Sequence, residues 1–306
     1  MSKRTDINKV LIIGSGPIII GQACEFDYSG TQACKALRKL GYEIVLVNSN
    51  PATIMTDPEI ADVTYIEPLN VHRLEQIIAK ERPDAVLPNL GGQSGLNLCS
   101  ELAKEGILDK YHVQVIGVQI DAIERGEDRI EFKKSMNEIG IEMARSEVSY
   151  SVDEALAIAD KLGYPVVLRP AYTMGGAGGG LVYNKEELKT VCARGLQASL
   201  VEESILGWEE LELEVVRDEE GNMITVCFIE NIDPLGVHTG DSFCAAPMLT
   251  ISKELQARLQ EQAYRIVDSV RVIGGTNVQF AHDPVSDRIV VIEINPRTSR
   301  SSALAS

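Results

Sequence analysis

Three side chains near the carboxyl end of the chain have the types and the spacing of a metal site. Glu293 and Asn295 stand two residues apart in the apolar segment Arg288–Asn295, which predicts a strand with both side chains on one face. Gln279 lies in the preceding predicted strand, as the expected hairpin partner. Three oxygen donors with one negative charge suit Mg²⁺ or Mn²⁺ that shares ligands with phosphate. By composition alone, the favoured alternative is a strand end with ordinary solvated polar groups.

Two features beside predicted strands indicate anion binding. Arg297 and Arg300 follow the three oxygen donors and supply cations for a small anion beside the metal. The glycine-rich stretch Thr173–Gly180 joins two predicted strands, and no Lys-Ser or Lys-Thr follows it, so it is not a Walker P-loop. Such a hairpin either closes over a polyphosphate through its backbone amides or is a mobile surface hairpin. Arg169, on the preceding predicted strand, favours phosphate.

A second glycine segment, Gly14–Gly21, follows a predicted strand and opens a helix, as in dinucleotide-binding folds. Its spacing is not GxGxxG. The second predicted strand ends in Asn48–Asn50, where a ribose-binding acid is expected, and Asp27 comes too early. The sequence therefore favours a plain tight turn over an NAD site. It also argues against a nicotinamide oxidoreductase.

The first 120 residues alternate short apolar segments with helical stretches. Alternating strands and helices predict an α/β fold with a parallel, doubly wound sheet over residues 1–120. The predicted strands are Lys9–Ile13, Glu43–Val47, Asp84–Leu87 and Val113–Ile116, with helices such as Thr31–Leu40 and Val71–Glu81 between them.

Residues 121–306 have a different pattern, which predicts an α+β domain that is largely antiparallel. Residues 121–145 are polar and helical. Ser151 and Glu154 form a capping box for a helix to Leu162, and Asn184 caps the next one. The remaining predicted elements are a helix over Lys253–Val272 and strands at Pro165–Ala171, Leu181–Tyr183, Leu211–Val215, Met223–Asn231, Thr276–Ala281 and Arg288–Asn295.

The composition excludes several classes of protein. The net charge of −16 argues against a broad nucleic-acid-binding surface. Six scattered cysteines without a CxxC pair suit neither a zinc site nor a disulfide framework. No apolar run approaches the length that crosses a bilayer, and the first ten residues lack the apolar core of a secretory signal. We expect a cytoplasmic protein with no membrane and no nucleic-acid partner.

Several long motifs together resemble the amino-terminal half of the large subunit of the carbamoyl-phosphate synthetase family. The resemblance covers essentially the whole chain, and the length of the motifs makes it specific. It predicts a pre-ATP-grasp domain followed by an ATP-grasp domain that is incomplete at the carboxyl terminus. The motifs are Gly14–Gly30, Asn48–Asp57, Met174–Gly180, Asn277–Phe280 and Glu293–Ser306.

The resemblance implies a reaction and its participants. In that family this half uses ATP to phosphorylate bicarbonate, and ammonia from a glutaminase small subunit converts carboxyphosphate to carbamate. Phosphoryl transfer of this kind needs positioning and charge neutralisation more than a side-chain nucleophile. A lid that excludes water protects the easily hydrolysed carboxyphosphate.

The resemblance also implies roles for individual residues, position by position. Gln279, Glu293 and Asn295 match the metal ligands, and Arg297 and Arg300 match the arginines that hold bicarbonate and carboxyphosphate. The positions that match the family's ATP site are Arg129, Arg169, Gly175, Gly176, Glu203, Glu210, Gly236 and His238. The family also binds K⁺ at the positions of Glu210, Asn231, Asp233 and Ser242.

Two departures from the family keep alternatives open. The chain stops at Ser306 where the family continues, so an ATP-binding fragment without turnover is the second hypothesis. The stretch Gly195–Glu202 is shorter than the family pattern, and a true deletion there would alter the contacts to the adenine edge. A related ATP-grasp ligase, such as a biotin carboxylase, is a further alternative that fits the long motifs less well.

Overall fold

The computed structural model describes residues 4–17, 23–170, 180–192, 199–237, 242–299 and 301–302. Its first part has five strands in a parallel sheet. The strands are β1 (Lys9–Ile13), β2 (Glu43–Asn48), β3 (Val63–Ile66), β4 (Ala85–Leu87) and β5 (Gln114–Val115). Their order is β3-β2-β1-β4-β5, and each pair is parallel. The accompanying helices are α1 (Ala23–Lys39), α2 (Val71–Glu81), α3 (Gly92–Lys104) and α4 (Ile107–Tyr111), with a 3₁₀ turn at Ile54–Thr56.

The first sheet buries both of its faces. Along β1, Leu11 and Ile13 face one apolar core, while Val10 and Ile12 face the other. All four are fully buried, because helices cover both sides, as expected of a doubly wound parallel sheet. The predicted fold class of this domain is confirmed.

Two helices, α5 (Ile120–Glu127) and α6 (Arg129–Glu138), lead from the first domain to the second. Val118, Ala122 and Ile123 belong to the same core as the strands of the second domain. We therefore propose the predicted boundary at residue 120, because the chain changes cores there. Leu96 of α3 also packs into this core, so the two domains share buried apolar surface.

The second domain contains two antiparallel sheets. The smaller consists of β6 (Ser146–Ser149), β7 (Val166–Pro170), β8 (Gly180–Val182) and β9 (Ser199–Glu203) in the order β6-β9-β7-β8, with α7 (Val152–Leu162) and α8 (Lys185–Cys192). The larger consists of β10 (Glu209–Arg217), β11 (Met223–Asn231), β12 (Cys244–Ala245), β13 (Gly274–Asp283) and β14 (Arg288–Asn295), with α9 (Lys253–Val270). Its order is β12-β11-β10-β13-β14. These sheets confirm the α+β prediction.

The predicted helix over 31–40 was too short, since α1 begins at Ala23 and runs through Gly30. Glycine disfavours a helix, which hides this extension in the sequence. A Cβ atom at Gly30 would lie 2.1 Å from Met55 Cε, so a larger residue there would displace the end of the Met55 side chain, which packs against the helix. Strand β3 was also not predicted, and the helical region expected over 121–145 ends at Glu138.

The glycine turn after β1 closes on a side chain of the protein itself. Gly16 has a φ of +83°, and its amide donates to Asn48 Oδ1 at 3.0 Å. Asn48 is fully buried at the end of β2, and a Cβ atom at Gly14 would lie 2.7 Å from its Cγ. The position where a dinucleotide site carries an acid is thus occupied by an amide that binds the turn, which supports the tight-turn interpretation.

Cys34 and Cys99 are buried and unpaired. Burial raises the pKa of the Cys34 thiol to about 11 and that of Cys99 to about 12, so both stay protonated near neutral pH. Across the described ranges, none of the helices is both long and apolar enough to cross a bilayer.

Candidate active site

One face of the larger sheet is polar although much of it is buried. Leu211, Leu213 and Val215 of β10 belong to the core that also includes residues of α9. The residues between them point the opposite way, because side chains alternate along a strand. We call this opposite side the polar face. It is formed by Glu210, Glu212 and Glu214 of β10, Asn277 and Gln279 of β13, and Glu293 and Asn295 of β14.

Strand register brings the predicted metal ligands together. Gln279 and Glu293 are directly paired across β13 and β14, as predicted. Asn295 Nδ2 donates to Glu293 Oε1 at 3.1 Å, which leaves its Oδ1 as an acceptor. One carboxylate and two amide oxygens on one face fit Mg²⁺ or Mn²⁺, which take oxygen ligands and complete their coordination with water and phosphate.

Arg129 and Arg169 meet at a buried acid that the sequence had not indicated. Glu202 Oε1 lies 3.8 Å from Arg129 Nη1, and its Oε2 lies 2.8 Å from Arg169 Nε. Arg129 Nη2 also lies 4.0 Å from Glu293 Oε2. Burial and the charge of Arg169 lower the pKa of Arg129. The structure thus places Arg129 beside Glu293 and joins Arg169 to Arg129 through Glu202.

Three buried polar atoms in this region make no hydrogen bond within the described residues. Arg169 Nε and Arg297 Nε are buried and donate to no acceptor among the described residues, and Asn231 Oδ1 accepts from no donor there. The Nε–H of Arg169 does not point at Glu202, although the two atoms are close. An unsatisfied buried donor costs about 1–3 kcal/mol. An anionic ligand that accepts from both arginines would remove this cost.

The turn after β14 places Arg297 beside the metal ligands. Arg297 Nη2 donates to Asn295 Oδ1 at 3.1 Å, and its guanidinium lies 5.6 Å from the ring centre of Phe26. The backbone of the turn is bound to Asn89, which follows β4 of the first domain: Thr298 N donates to Asn89 O at 3.2 Å. The first domain therefore supplies one wall of the site.

The Glu203 carboxylate is already engaged by two arginines. It accepts from Arg145 N at 2.7 Å, Arg145 Nε at 2.6 Å and Arg288 Nη2 at 2.7 Å. Burial raises the pKa of Glu203, but these hydrogen bonds outweigh burial, and the net pKa is lowered. The Glu203 carboxylate, which is predicted to lie near the nucleotide, is therefore already occupied by donors of the protein.

Gly236 lies beside the turn that follows β9. It has a φ of +119°, and a Cβ atom there would lie 2.2 Å from Leu206 Cδ1. Hydrogen bonds from Gly207 N to Leu235 O and from Leu235 N to Trp208 O tie the two segments together. Glycine is required at this approach.

The residues expected at a K⁺ site lie on β10, at the end of β11 and in the segment between β11 and β12. Glu210 is buried on β10 at a position paired with Ala281 of β13. Asn231 Nδ2 donates to Glu212 Oε1 at 2.9 Å. Asp233 Oδ2 accepts from Phe243 N, and Ser242 Oγ donates to Phe243 O.

Four predicted site residues, Gly175, Gly176, His238 and Arg300, lie outside the described residues. Half of the stretch expected to be shortened, residues 195–198, lies outside them as well.

Sequence reasoning missed Glu202, Glu212 and Glu214 as members of the site. The signal for two of them is visible in the printed sequence, where three acids alternate with leucines over residues 210–214. That alternation predicted one acidic strand face but not its burial, which depends on β13, β14 and the turn beyond them.

Solved structures share this fold at low sequence identity. The biotin carboxylase-beta-gamma-ATP complex from Campylobacter jejuni aligns with a TM-score of 0.78 at 19% identity, over 98% of this chain and 67% of that one. N5-carboxyaminoimidazole synthetase from Staphylococcus aureus, complexed with ADP, aligns with a TM-score of 0.74 at 18% identity, over 98% of this chain and 73% of that one.

Sequence comparison identifies the family. Large chains of carbamoyl phosphate synthase from Thermotoga neapolitana and Archaeoglobus fulgidus are each 56% identical over the whole of this chain, which spans 28% and 29% of their lengths. The family model of the carbamoyl phosphate synthase preATP-grasp domain matches residues 6–125. The model of the carbamoyl-phosphate synthase L chain ATP-binding domain matches residues 128–306. The chain therefore belongs to the family of carbamoyl phosphate synthase large chains.

Proposed function

We propose that this chain binds ATP with Mg²⁺ or Mn²⁺ and phosphorylates bicarbonate to carboxyphosphate. The observation that carries the proposal is the contact of Arg129 with Glu293 and of Arg297 with Asn295, with Arg169 joined to Arg129 through Glu202. Within the described residues, the buried Nε of Arg297 donates to no acceptor. A solved structure of the same fold, a biotin carboxylase domain from Hydrogenobacter thermophilus, is described as a complex with MgADP and bicarbonate. This supports a site for a nucleotide beside a small anion.

In the proposed reaction, an oxygen of bicarbonate attacks the γ-phosphorus of ATP, and the bond to the β-phosphate oxygen breaks to release ADP. Gln279, Glu293 and Asn295 would hold the metal, which neutralises phosphate charge when bound. Arg129 and Arg169 would bind the phosphates. Arg297 would hold the bicarbonate and then the carboxyphosphate. These groups act by positioning and by charge, as phosphoryl transfer requires.

We propose that ammonia then attacks the carboxyphosphate carbon, with release of phosphate, to give carbamate. The chain spans less than a third of the length of its relatives. The proposal therefore also includes three further features: the glutaminase small subunit as a partner, the K⁺ site, and carbamoyl phosphate synthesis by the complete protein.

The decisive experiment is ATP hydrolysis by this chain with Mg²⁺ and K⁺, with and without bicarbonate. We expect bicarbonate to stimulate hydrolysis. ATP binding without stimulation would instead establish a nucleotide-binding fragment without turnover. Stimulation that requires biotin in addition would favour a biotin carboxylase.

A further inference from the structure

One buried carboxyl group binds three serines of the turn that carries Arg297. We call residues 296–302 the serine turn. Glu214 Oε1 accepts from Ser299 Oγ and from Ser301 Oγ, each at 2.5 Å. Glu214 Oε2 accepts from Ser302 Oγ at 3.1 Å. The side chain of a strand in the middle of the sheet therefore binds the hydroxyl groups of three serines of the turn.

The Glu214 carboxylate is also bonded to β13, the strand that carries Gln279. Asn277 Nδ2 donates to Glu214 Oε1 at 2.9 Å and to Glu212 Oε2 at 2.9 Å. Asn277 Oδ1 in turn accepts from Asn295 Nδ2 at 3.5 Å. The network thus connects β10, β13, β14 and the serine turn.

The network lies out of contact with solvent. Glu214 is 5% exposed, Ser301 is 3% exposed and Asn277 is fully buried. Burial raises the pKa of Glu214, and the hydroxyl and amide donors lower it by less. A buried acid is costly unless its hydrogen bonds are made, and here three of the four bonds come from the serine turn.

We propose that Glu214 is a positioning residue that sets the serine turn, so that Arg297 lies against Asn295 and can hold the small anion. This inference rests on the proposed function. In the sequence, Arg300 stands between two of the serines that Glu214 binds. A shift of about 1 Å in a positioning group can reduce activity about a hundredfold.

Glu214→Leu removes all four hydrogen bonds, whereas Glu214→Gln retains an acceptor and a comparable shape. Glu230→Leu is the matched control. Glu230 lies on β11 of the same sheet, is 2% exposed and accepts from Leu249 N and Thr250 Oγ1. It is paired with Leu211 and therefore points to the opposite face.

We expect Glu214→Leu to raise the KM for bicarbonate about tenfold or more, and to leave the KM for ATP within about twofold. Glu214→Gln should restore most of the wild-type KM. Glu230→Leu should lower the Tm without changing the ratio of the two KM values. Equal changes in both KM values for Glu214→Leu, or the same ratio change in the control, would overturn the inference.

Amide hydrogen exchange of a peptide covering residues 296–302 tests the inference without turnover. Faster exchange in Glu214→Leu but not in Glu230→Leu supports it, even if wild-type chain shows no bicarbonate stimulation and the proposed function fails. Unchanged exchange overturns it. If Glu214→Leu does not fold, the double variant Ser299→Ala, Ser301→Ala removes two of the three contacts that the turn makes with Glu214, and the same outcomes apply.

Discussion

At the residue scale, the site is organised by acids that bind protein cations and donors as well as by residues that would contact a ligand. Glu202 lies between Arg129 and Arg169, so the two positive charges are held close together by a negative charge that is itself buried. Glu214 has the same role for the serine turn. Removal of one partner of a buried charge pair costs more than the pair contributes, so these acids are expected to be sensitive to substitution.

Glu293→Ala is expected to abolish metal-dependent ATP hydrolysis without unfolding the domain, because the side chain serves coordination and is 41% exposed. The measurements are hydrolysis at saturating Mg²⁺ and a thermal melt. Glu261→Ala, on the exposed side of α9, is the control and should change the free energy of unfolding by less than about 0.5 kcal/mol. Wild-type hydrolysis by Glu293→Ala would show that the metal assignment is wrong.

Glu203 is expected to make stability depend on pH. Its folded pKa lies below the ordinary value of 4.5, so its contribution is fully present above that value and is lost as the pH falls through the lowered folded pKa. The free energy of unfolding of wild type and of Glu203→Gln should therefore differ most above pH 4.5 and converge below it. Urea unfolding at a series of pH values measures this. A difference that is constant with pH would contradict the interpretation.

At the scale of elements, local signals set where helices begin, and packing sets how far they run. Ser151 Oγ accepts from Glu154 N at the start of α7, and Asn184 Oδ1 accepts from Glu187 N at the start of α8, both as predicted. The extent of α1 has no such local signal. The helix continues through Gly30, where Met55 packs against it. Strand register also depends on whole elements, and the pairing of β13 with β14 places Gln279 directly opposite Glu293.

The segment after β4 is expected to support the site through Asn89. Asn89→Ala removes acceptance from Val118 N at 3.2 Å and donation to Pro296 O at 3.4 Å, at a cost of about 1–3 kcal/mol. Bicarbonate-stimulated hydrolysis should fall as well, because the backbone of the serine turn rests on this segment. Hydrolysis assays and chemical unfolding measure both effects.

Asn70→Ala is the control for Asn89. Asn70 caps α2 by accepting from Arg73 N at 2.9 Å, so its loss should cost about 0.5–2 kcal/mol with unchanged hydrolysis. If Asn70→Ala reduces hydrolysis as much as Asn89→Ala, general destabilisation explains both, and the support from the first domain is refuted.

At the scale of the whole molecule, the site is shared by all three sheets. The small sheet contributes Arg169, the large sheet contributes the polar face, and the first domain contributes Asn89 and Phe26. Leu96 packs into the core of the second domain, which joins the two domains behind the site. A ligand that binds across such a site stabilises the whole chain by mass action.

ATP with Mg²⁺ is expected to raise the Tm of the chain, and removal of the metal with EDTA should reduce the shift. At a ligand concentration of about 100 times Kd the stabilisation is about 2.7 kcal/mol. NAD serves as the control ligand and should not change the Tm, because Asn48 closes the glycine turn. A shift with NAD, or an ATP shift that is unaffected by EDTA, would contradict the assignment of the site.

The sequence by itself determined the parallel first domain, the α+β second domain, the acidic face of β10 and the pairing of Gln279 with the strand that carries Glu293 and Asn295. These follow from local periodicity and from strand pairing over short separations, which the order of residues controls directly. The resemblance to a family added Arg129 to the predicted site, whereas Arg169 was already expected to bind phosphate from its position before the glycine-rich stretch.

The tertiary structure alone decided that Glu202 lies between the two arginines, that Glu214 binds Ser299 and Ser301, and that Asn89 meets the turn after β14. In each case the partners come from different elements, and for Glu214 they are separated by more than 80 residues. No local pattern encodes such contacts. They arise because burial of the apolar faces of the three sheets fixes the position of each polar side chain. A buried polar side chain must then have its hydrogen-bond partner at that position.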